Sequence, residues 1–177
     1  MVKLYIDFDG VIKNTIDYMY REMAQLRFSS SKNGKNTFEM DYYLTTLDWA
    51  KMLEKTDFIN DAIDNINKIV KTGLYDVKIL THVNSYNEAM QKQLYWQEVM
   101  PDVPLIVVPK EYDKACFVSA SGAILIDDYK ENLKVWKEHN GIPIHFDEER
   151  GESDYLVISC LDEVIDLTAD YAKKLIK

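Results

Sequence analysis

An apolar run, Leu4-Tyr5-Ile6, is broken at once by Asp7-Phe8-Asp9-Gly10, and no other stretch limits the possible folds so sharply. A buried strand has no use for two carboxylates at its end, because an uncompensated buried charge costs several kcal/mol even after the protein relaxes. The rest of the chain must therefore bring partners to Asp7 and Asp9. Gly10 lets the backbone turn tightly there and approach a ligand closely.

Other short apolar runs follow, separated by segments of helical period, which is the pattern of βα units feeding a parallel sheet. Leu4–Phe8, Val77–Leu80, Leu105–Val108, Ile124–Ile126 and Ile142–Phe146 read as five strands. Between the first two lies a helix around Phe58 to Val70, with Ile59, Ala62, Ile63, Ile66, Ile69 and Val70 at three- and four-residue intervals, stopped by Thr72-Gly73. Tyr86, Met90 and Leu94 mark a face of the next helix, which ends near Pro101. Leu133 and Trp136 belong to a short helix closed by Asn140-Gly141, and Leu161, Val164, Ile165, Ala172 and Leu175 lie along a last one. Pro143 lacks a backbone donor, which predicts an edge position for the fifth strand.

The stretch from Asn14 to Thr56 is too long for a βα connection, whose usual length is roughly 2–6 residues. It holds a helical piece from Ile16 to Leu26, the polar loop SSSKNGKN and an aromatic-rich part, FEMDYYLTTLDW. These features predict a helical cap over 14–56, inserted into a core made of 1–13 and 57–177.

The 177 residues suit one such domain, and an apolar content of 47% is ample for its core. With 30 acidic against 21 basic residues the formal charge is −9, which disfavours any large nucleic acid as partner. No run approaches the roughly 20 apolar residues of a membrane span, and MVKLYIDF passes straight into a strand without a signal-peptide pattern. Cys116 and Cys160 are far apart in sequence and read as free, packed thiols in a reducing compartment. A cytoplasmic protein is expected.

Ligands of open parallel sheets gather at the carboxyl ends of the strands. Asp7 and Asp9 end the first strand, Thr81 the second and Asp127-Asp128 the fourth, with Lys114 just ahead of it in EYDKACF. Four carboxylates meeting on one rim repel one another unless a hard cation sits among them, and oxygen ligands with waters suit Mg²⁺. Lys110 is close enough in sequence to compete for the place of Lys114.

Taken in order, DFDGV, ILT, Lys114 and LIDD resemble the four motifs of the haloacid dehalogenase (HAD) superfamily. The resemblance implies an α/β fold, a Rossmann-like three-layer α/β/α sandwich whose central parallel sheet has five strands here, with the small cap placed after the first motif. It implies Asp7 as nucleophile forming an aspartyl phosphate, Asp9 as general acid and then base, Thr81 as donor to a phosphoryl oxygen, and Lys114 as partner of the nucleophile and of the transferring group. Mg²⁺ would be held by Asp7, the Asp9 carbonyl and Asp128, with Asp127 acting through water. Gly10 and the backbone N–H of His82 would approach the phosphate.

From YWQEVMPDVPLIVVP onward the chain is similar to the 5'(3')-deoxyribonucleotidase branch, through Asp113, Lys114, Gly122, Asp127, Asp128, Asn132, Leu133 and Trp136. That implies a nucleoside monophosphate as the small phosphorylated partner, with Phe38, Tyr42, Tyr43 and Trp49 of the cap able to stack on a base or to pack the cap. A sugar-phosphate phosphatase or phosphomutase is the alternative, and a binding protein without turnover a third. Asp9 speaks against a dehalogenase, and a receiver domain would carry its lysine last. Trp96 and Trp136 are expected to pack, and His139 and His145 to lie at the surface or on an edge strand.

Overall fold

The computed structural model describes residues 1–28, 31–32 and 35–167, with side chains for 1–28 and 37–167. Its main sheet contains β1 (Val2–Ile6), β4 (Tyr75–Val83), β5 (Leu105–Pro109), β6 (Ile124–Asp127), β7 (Ile142–Phe146) and β8 (Leu156–Ile158). All neighbours run parallel, in the order β5-β4-β1-β6-β7-β8. The architecture is the expected Rossmann-like α/β sandwich, with six strands among the described residues where the sequence suggests five.

The added strand is β8. Three residues are too few to announce a strand by periodicity, yet β8 covers β7 from outside, so β7 is an inner strand and the expected edge position is wrong. Pro143 is accommodated because β8 pairs only from Ile144 onward, leaving the proline beyond that ladder.

Side chains alternate across the sheet as the pleat requires. Leu4, Ile6, Ile79, Ile124 and Ile126 join the core on one face, with Ile66 and Ile69 of α4 (Ala62–Lys71) and Trp96 of α5 (Tyr86–Val99). Tyr5, Leu80 and Leu125 face the other side, against Leu133 and Trp136 of α6 (Lys130–Glu138). Trp96 and Trp136 are buried as expected, and their indole N–H groups donate to Val103 O at 2.7 Å and Ala123 O at 3.0 Å.

Two helical faces differ from the sequence reading. Tyr86, Met90 and Leu94 of α5 are exposed, and the buried residues of that helix are Glu88, Lys92 and Trp96. Val70, on the expected apolar face of α4, is 41% exposed. The C-terminal helix is described only as far as Leu167, so Ala172 and Leu175 lie outside the described residues.

Residues after β1 build a separate layer: α1 (Thr15–Gln25), a minimal ladder of β2 (Ser31–Lys32) with β3 (Lys35–Asn36), α2 (Phe38–Thr46) and α3 (Trp49–Lys55). Ser29, Ser30, Asn33 and Gly34 of the polar loop lie outside the described residues. This layer has its own core of Met19, Met23, Tyr43, Leu44, Leu47, Trp49 and Met52. Its two ends are strapped together where Asn14 N–H donates to Asp57 O at 3.1 Å and the buried Lys13 ammonium donates to Thr56 O.

Cys116 and Cys160 are free, but Cys116 is exposed rather than packed. His139 is exposed at the end of α6, whereas His145 is buried within β7, with Nε2 donating to Asp128 O at 3.2 Å; the added strand accounts for that burial. Among the described residues no helix is long and apolar enough to cross a membrane.

Candidate active site

The strand order fixes where a ligand can sit. From β1 the chain moves to β4 and β5 on one side and then returns to β6 on the other. The reversal opens a crevice beyond the carboxyl ends of β1 and β6, the switch point at which open α/β sheets bind ligands. Asp7 leaves β1 there, its N–H still donating to Ile126 O at 2.9 Å. Asp127 ends β6 and Asp128 follows it.

Gly10 turns the chain just past Asp9 with φ +73°, and a Cβ at this position would lie 2.2 Å from Asp128 Oδ2. Both its dihedral and the space it leaves require glycine. Thr81 and His82 lie inside β4 rather than beyond it, because pairing with β5 continues to Val83 and Pro109.

The six residues expected to share one rim do meet. Lys114, in a 3₁₀ turn over Lys114–Cys116, is buried with Nζ 2.8 Å from Asp7 Oδ1 and 2.6 Å from Asp127 Oδ2. Lys110 does not take that place; it lines the cavity mouth, its ammonium 5.4 Å from the centre of the Tyr129 ring. Thr81 Oγ1 lies 3.3 Å from Asp9 Oδ2. Asp127 is fully buried and taken up by protein donors: besides Lys114, Tyr129 N–H at 2.9 Å and the Asn132 amide at 3.0–3.1 Å. No donor among the described residues caps the Asp128 carboxylate.

Asp7, Asp127 and Asp128 present carboxylate oxygens within 4.8 Å of one another. Burial, then the neighbouring acids, push the Asp7 carboxyl up to about 7 against the pull of Lys114. The same causes push Asp128 to about 8. Crowded, desolvated carboxylates of this kind are the donor set of a hard, oxygen-liganded cation, and the residues present fit one.

His82 faces the cavity with Nε2 3.0 Å from Tyr112 O, and burial followed by the charges of Lys114 and Lys110 lowers its pKa to about 4. Its imidazole is therefore neutral.

Sequence reasoning missed three residues around Asp9. Thr15 Oγ1 donates to Asp9 Oδ1 at 2.7 Å. Lys92, fully buried, donates to Asp9 Oδ2, to Glu88 Oε1 at 2.7 Å, and to Thr81 Oγ1 and His82 O at 3.2 Å each. Burial alone would depress this ammonium, but Asp9 and Glu88 outweigh it and the net shift is upward. The available signal was the four-residue spacing of Glu88, Lys92 and Trp96, which puts two charges on the face of a core tryptophan.

Above the acids lies a cavity of about 480 Å³. Its floor includes Asp7, Asp9 and Asp128, and its opposite wall is Ile16, Met19, Tyr20, Met40, Leu44 and Trp49. Of the cap aromatics expected to meet a ligand, only Trp49 lines the cavity. Phe38 and Tyr42 are exposed, and Tyr43 is buried with its hydroxyl donating to Glu22 Oε2 at 2.8 Å.

No family model matches the sequence, and no curated protein matches it significantly. Solved structures do match in fold. A HAD phosphatase from Thermococcus onnurineus aligns with TM-score 0.65 and 15% identity over 95% of this chain and 98% of its own. A HAD-superfamily hydrolase of subfamily IA from Geobacter sulfurreducens gives 0.63 and 11% over 94% and 99%. The HAD-hydrolase YfnB from Bacillus subtilis, in a form bound to magnesium, gives 0.63 and 14% over 94% and 97%. The fold is thus that of HAD hydrolases.

Proposed function

We propose that this chain is a Mg²⁺-dependent phosphomonoester hydrolase that works through an aspartyl phosphate on Asp7, and that nucleoside monophosphates are its substrates. One observation carries the reading: the Asp7 carboxylate, ion-paired to Lys114 at 2.8 Å, lies on the floor of a cavity that Asp9 and Asp128 also line.

In the proposed reaction an Asp7 oxygen attacks phosphorus as the ester P–O bond breaks, and the Asp9 carboxyl gives its proton to the departing oxygen. Asp9 then takes a proton from water, whose oxygen attacks phosphorus and frees Asp7 and inorganic phosphate. Thr81 and Lys114 donate to phosphoryl oxygens, which suits a reaction governed by positioning and electrostatics. Mg²⁺, held by the carboxylates of Asp7 and Asp128 and the carbonyl of Asp9, would supply the positive charge that lets a phosphate dianion approach so many acids. Asp127 positions Lys114 through its ion pair at 2.6 Å and would act on the metal through water.

Residues 14–56 serve as a cap on a core of 1–13 and 57–177. The mostly apolar lining from Ile16, Met19, Tyr20, Met40, Leu44 and Trp49, together with Asn84 and Asn132, suits a leaving group with a flat, weakly polar surface and a few hydrogen-bonding edges, as a nucleoside has. It suits a polyhydroxylated sugar less well.

The test is phosphate release from a panel of nucleoside monophosphates and sugar phosphates, with Mg²⁺ and then with chelator. Release from nucleotides above sugars, lost with chelator and restored by Mg²⁺, is expected. Equal, chelator-insensitive rates across the panel would overturn both the metal and the substrate class.

A further inference from the structure

We propose that Lys92, balanced by Glu88, is a positioning residue that holds the Asp9 carboxylate in the orientation its acid and base steps need; this rests on the phosphatase reading above. The Lys92 ammonium lies between the rings of Phe8 and Trp49, 5.4 Å and 4.8 Å from their centres. A methionine would fill such a place without the several kcal/mol that desolvating a charge costs, so packing does not explain a lysine there.

Its hydrogen bonds do. An ammonium has three protons, and four acceptors, Asp9 Oδ2, Glu88 Oε1, Thr81 Oγ1 and His82 O, lie within hydrogen-bond distance of Nζ. Thr15 holds the other Asp9 oxygen, Oδ1, at 2.7 Å. With both oxygens engaged, the carboxylate cannot swing between its rotamers.

Glu88 is anchored in turn by Asn84 N–H at 2.7 Å and the Asn84 amide at 3.1 Å. It neutralises Lys92, so that Asp9 meets a balanced pair rather than a bare cation. Trp49 belongs to α3 of the cap layer, and its contact with Lys92 ties the seating of that layer to the orientation of Asp9.

Replacing Lys92 alone would leave Glu88 buried without its counter-ion, so the informative variants are E88Q/K92M and, as a second apolar filling, E88Q/K92L. Both are compared with wild type in Mg²⁺ on two esters, after a cooperative thermal melt has verified folding. One ester is a simple alkyl phosphate, whose alkoxide must be protonated to leave. The other is p-nitrophenyl phosphate, whose phenolate leaves without a proton. Misplacing a catalytic group by about 1 Å costs roughly 10²-fold; because both esters share the later breakdown of the aspartyl phosphate, that loss is expected in the ratio of kcat/KM for the alkyl ester to kcat/KM for the aryl ester, which reports the first step alone. A crystal structure of the variant should show Asp9 in a different rotamer. An unchanged kcat/KM ratio, or an unmoved Asp9, overturns the positioning role while leaving the phosphatase reading intact. A wild type that releases phosphate from neither ester overturns that reading and this role with it.

Discussion

Gly10 shows how one residue can serve both the backbone and the ligand site. Its φ of +73° strains any L side chain, by about 1–2 kcal/mol, and its missing Cβ leaves the space that Asp128 Oδ2 occupies. Gly10→Ala should therefore fold with a modest loss of stability but push the Asp128 carboxylate aside. With Mg²⁺ held as proposed, the Mg²⁺ concentration giving half-maximal phosphate release should rise by about 10–100-fold, the usual cost of disturbing a ligand's support. At the groups proposed to react, Asp7→Asn should abolish release, since the proposed nucleophile is gone. Asp9→Asn should lower kcat by roughly 10²–10⁴-fold, the usual worth of acid–base catalysis. Near-normal turnover by the Asp7 variant would remove it as nucleophile. Asp7, Asp9, Asp127 and Asp128 were legible in sequence because parallel strands bring their carboxyl ends to one rim, and Thr81, inside β4, and Lys114, in a 3₁₀ turn, because their order along the chain matched the motif series. Lys92 and Glu88 were not: at four-residue spacing they look like any solvated helical ion pair, and their burial, with the Phe8 and Trp49 rings against the Lys92 ammonium, shows only in the fold.

At the scale of elements, the same limit separates what periodicity predicts from what it cannot. The strong amphipathic pattern of α4 located that helix, but it assigned Val70 to the same face as Ile66. Ile66 is fully buried against the sheet and Val70 is 41% exposed. Ile66→Ala should cost about 2–5 kcal/mol, the lost transfer energy plus the cavity left behind, whereas Val70→Ala should stay within about 0.5–1 kcal/mol. Denaturant unfolding of the two variants measures the difference, and equal losses would mean that the helix is rotated relative to the sheet. In α5 the pattern misled, since Tyr86, Met90 and Leu94 satisfy a helical period on the solvent side while charged residues fill the core side. The strand β8 was illegible for a simpler reason: three residues carry no period, and its existence depends on β7 offering an open edge.

Across the whole molecule, the candidate site sets a conflict between stability and function that pH should expose. Five carboxylates, those of Asp7, Asp9, Asp127, Asp128 and Glu88, surround two buried ammonium groups, Lys114 and Lys92. Asp7 and Asp128 respond by holding protons up to about 7 and about 8, far above the range of a carboxyl in the unfolded chain. Between those two ranges these two carboxyls hold more protons in the folded protein than in the unfolded chain, which makes stability fall as pH rises; His82, lowered to about 4, acts in the opposite sense below the ordinary imidazole range, but one group against two leaves the net slope downward. The metal-free protein should accordingly melt at a higher temperature near pH 5 than near pH 8, each lost kcal/mol appearing as about 2–4 °C in Tm for a chain of this size. A divalent cation bound as proposed would reverse the preference, because it would bind the ionised carboxylates, which only the folded state assembles. Added Mg²⁺ should therefore raise Tm strongly at pH 8 and little at pH 5, where protons already occupy the oxygens. Scanning calorimetry at both pH values, with chelator and with Mg²⁺, measures all four cases. A Mg²⁺ effect of equal size at the two pH values would mean that the ion binds elsewhere than among Asp7, Asp127 and Asp128.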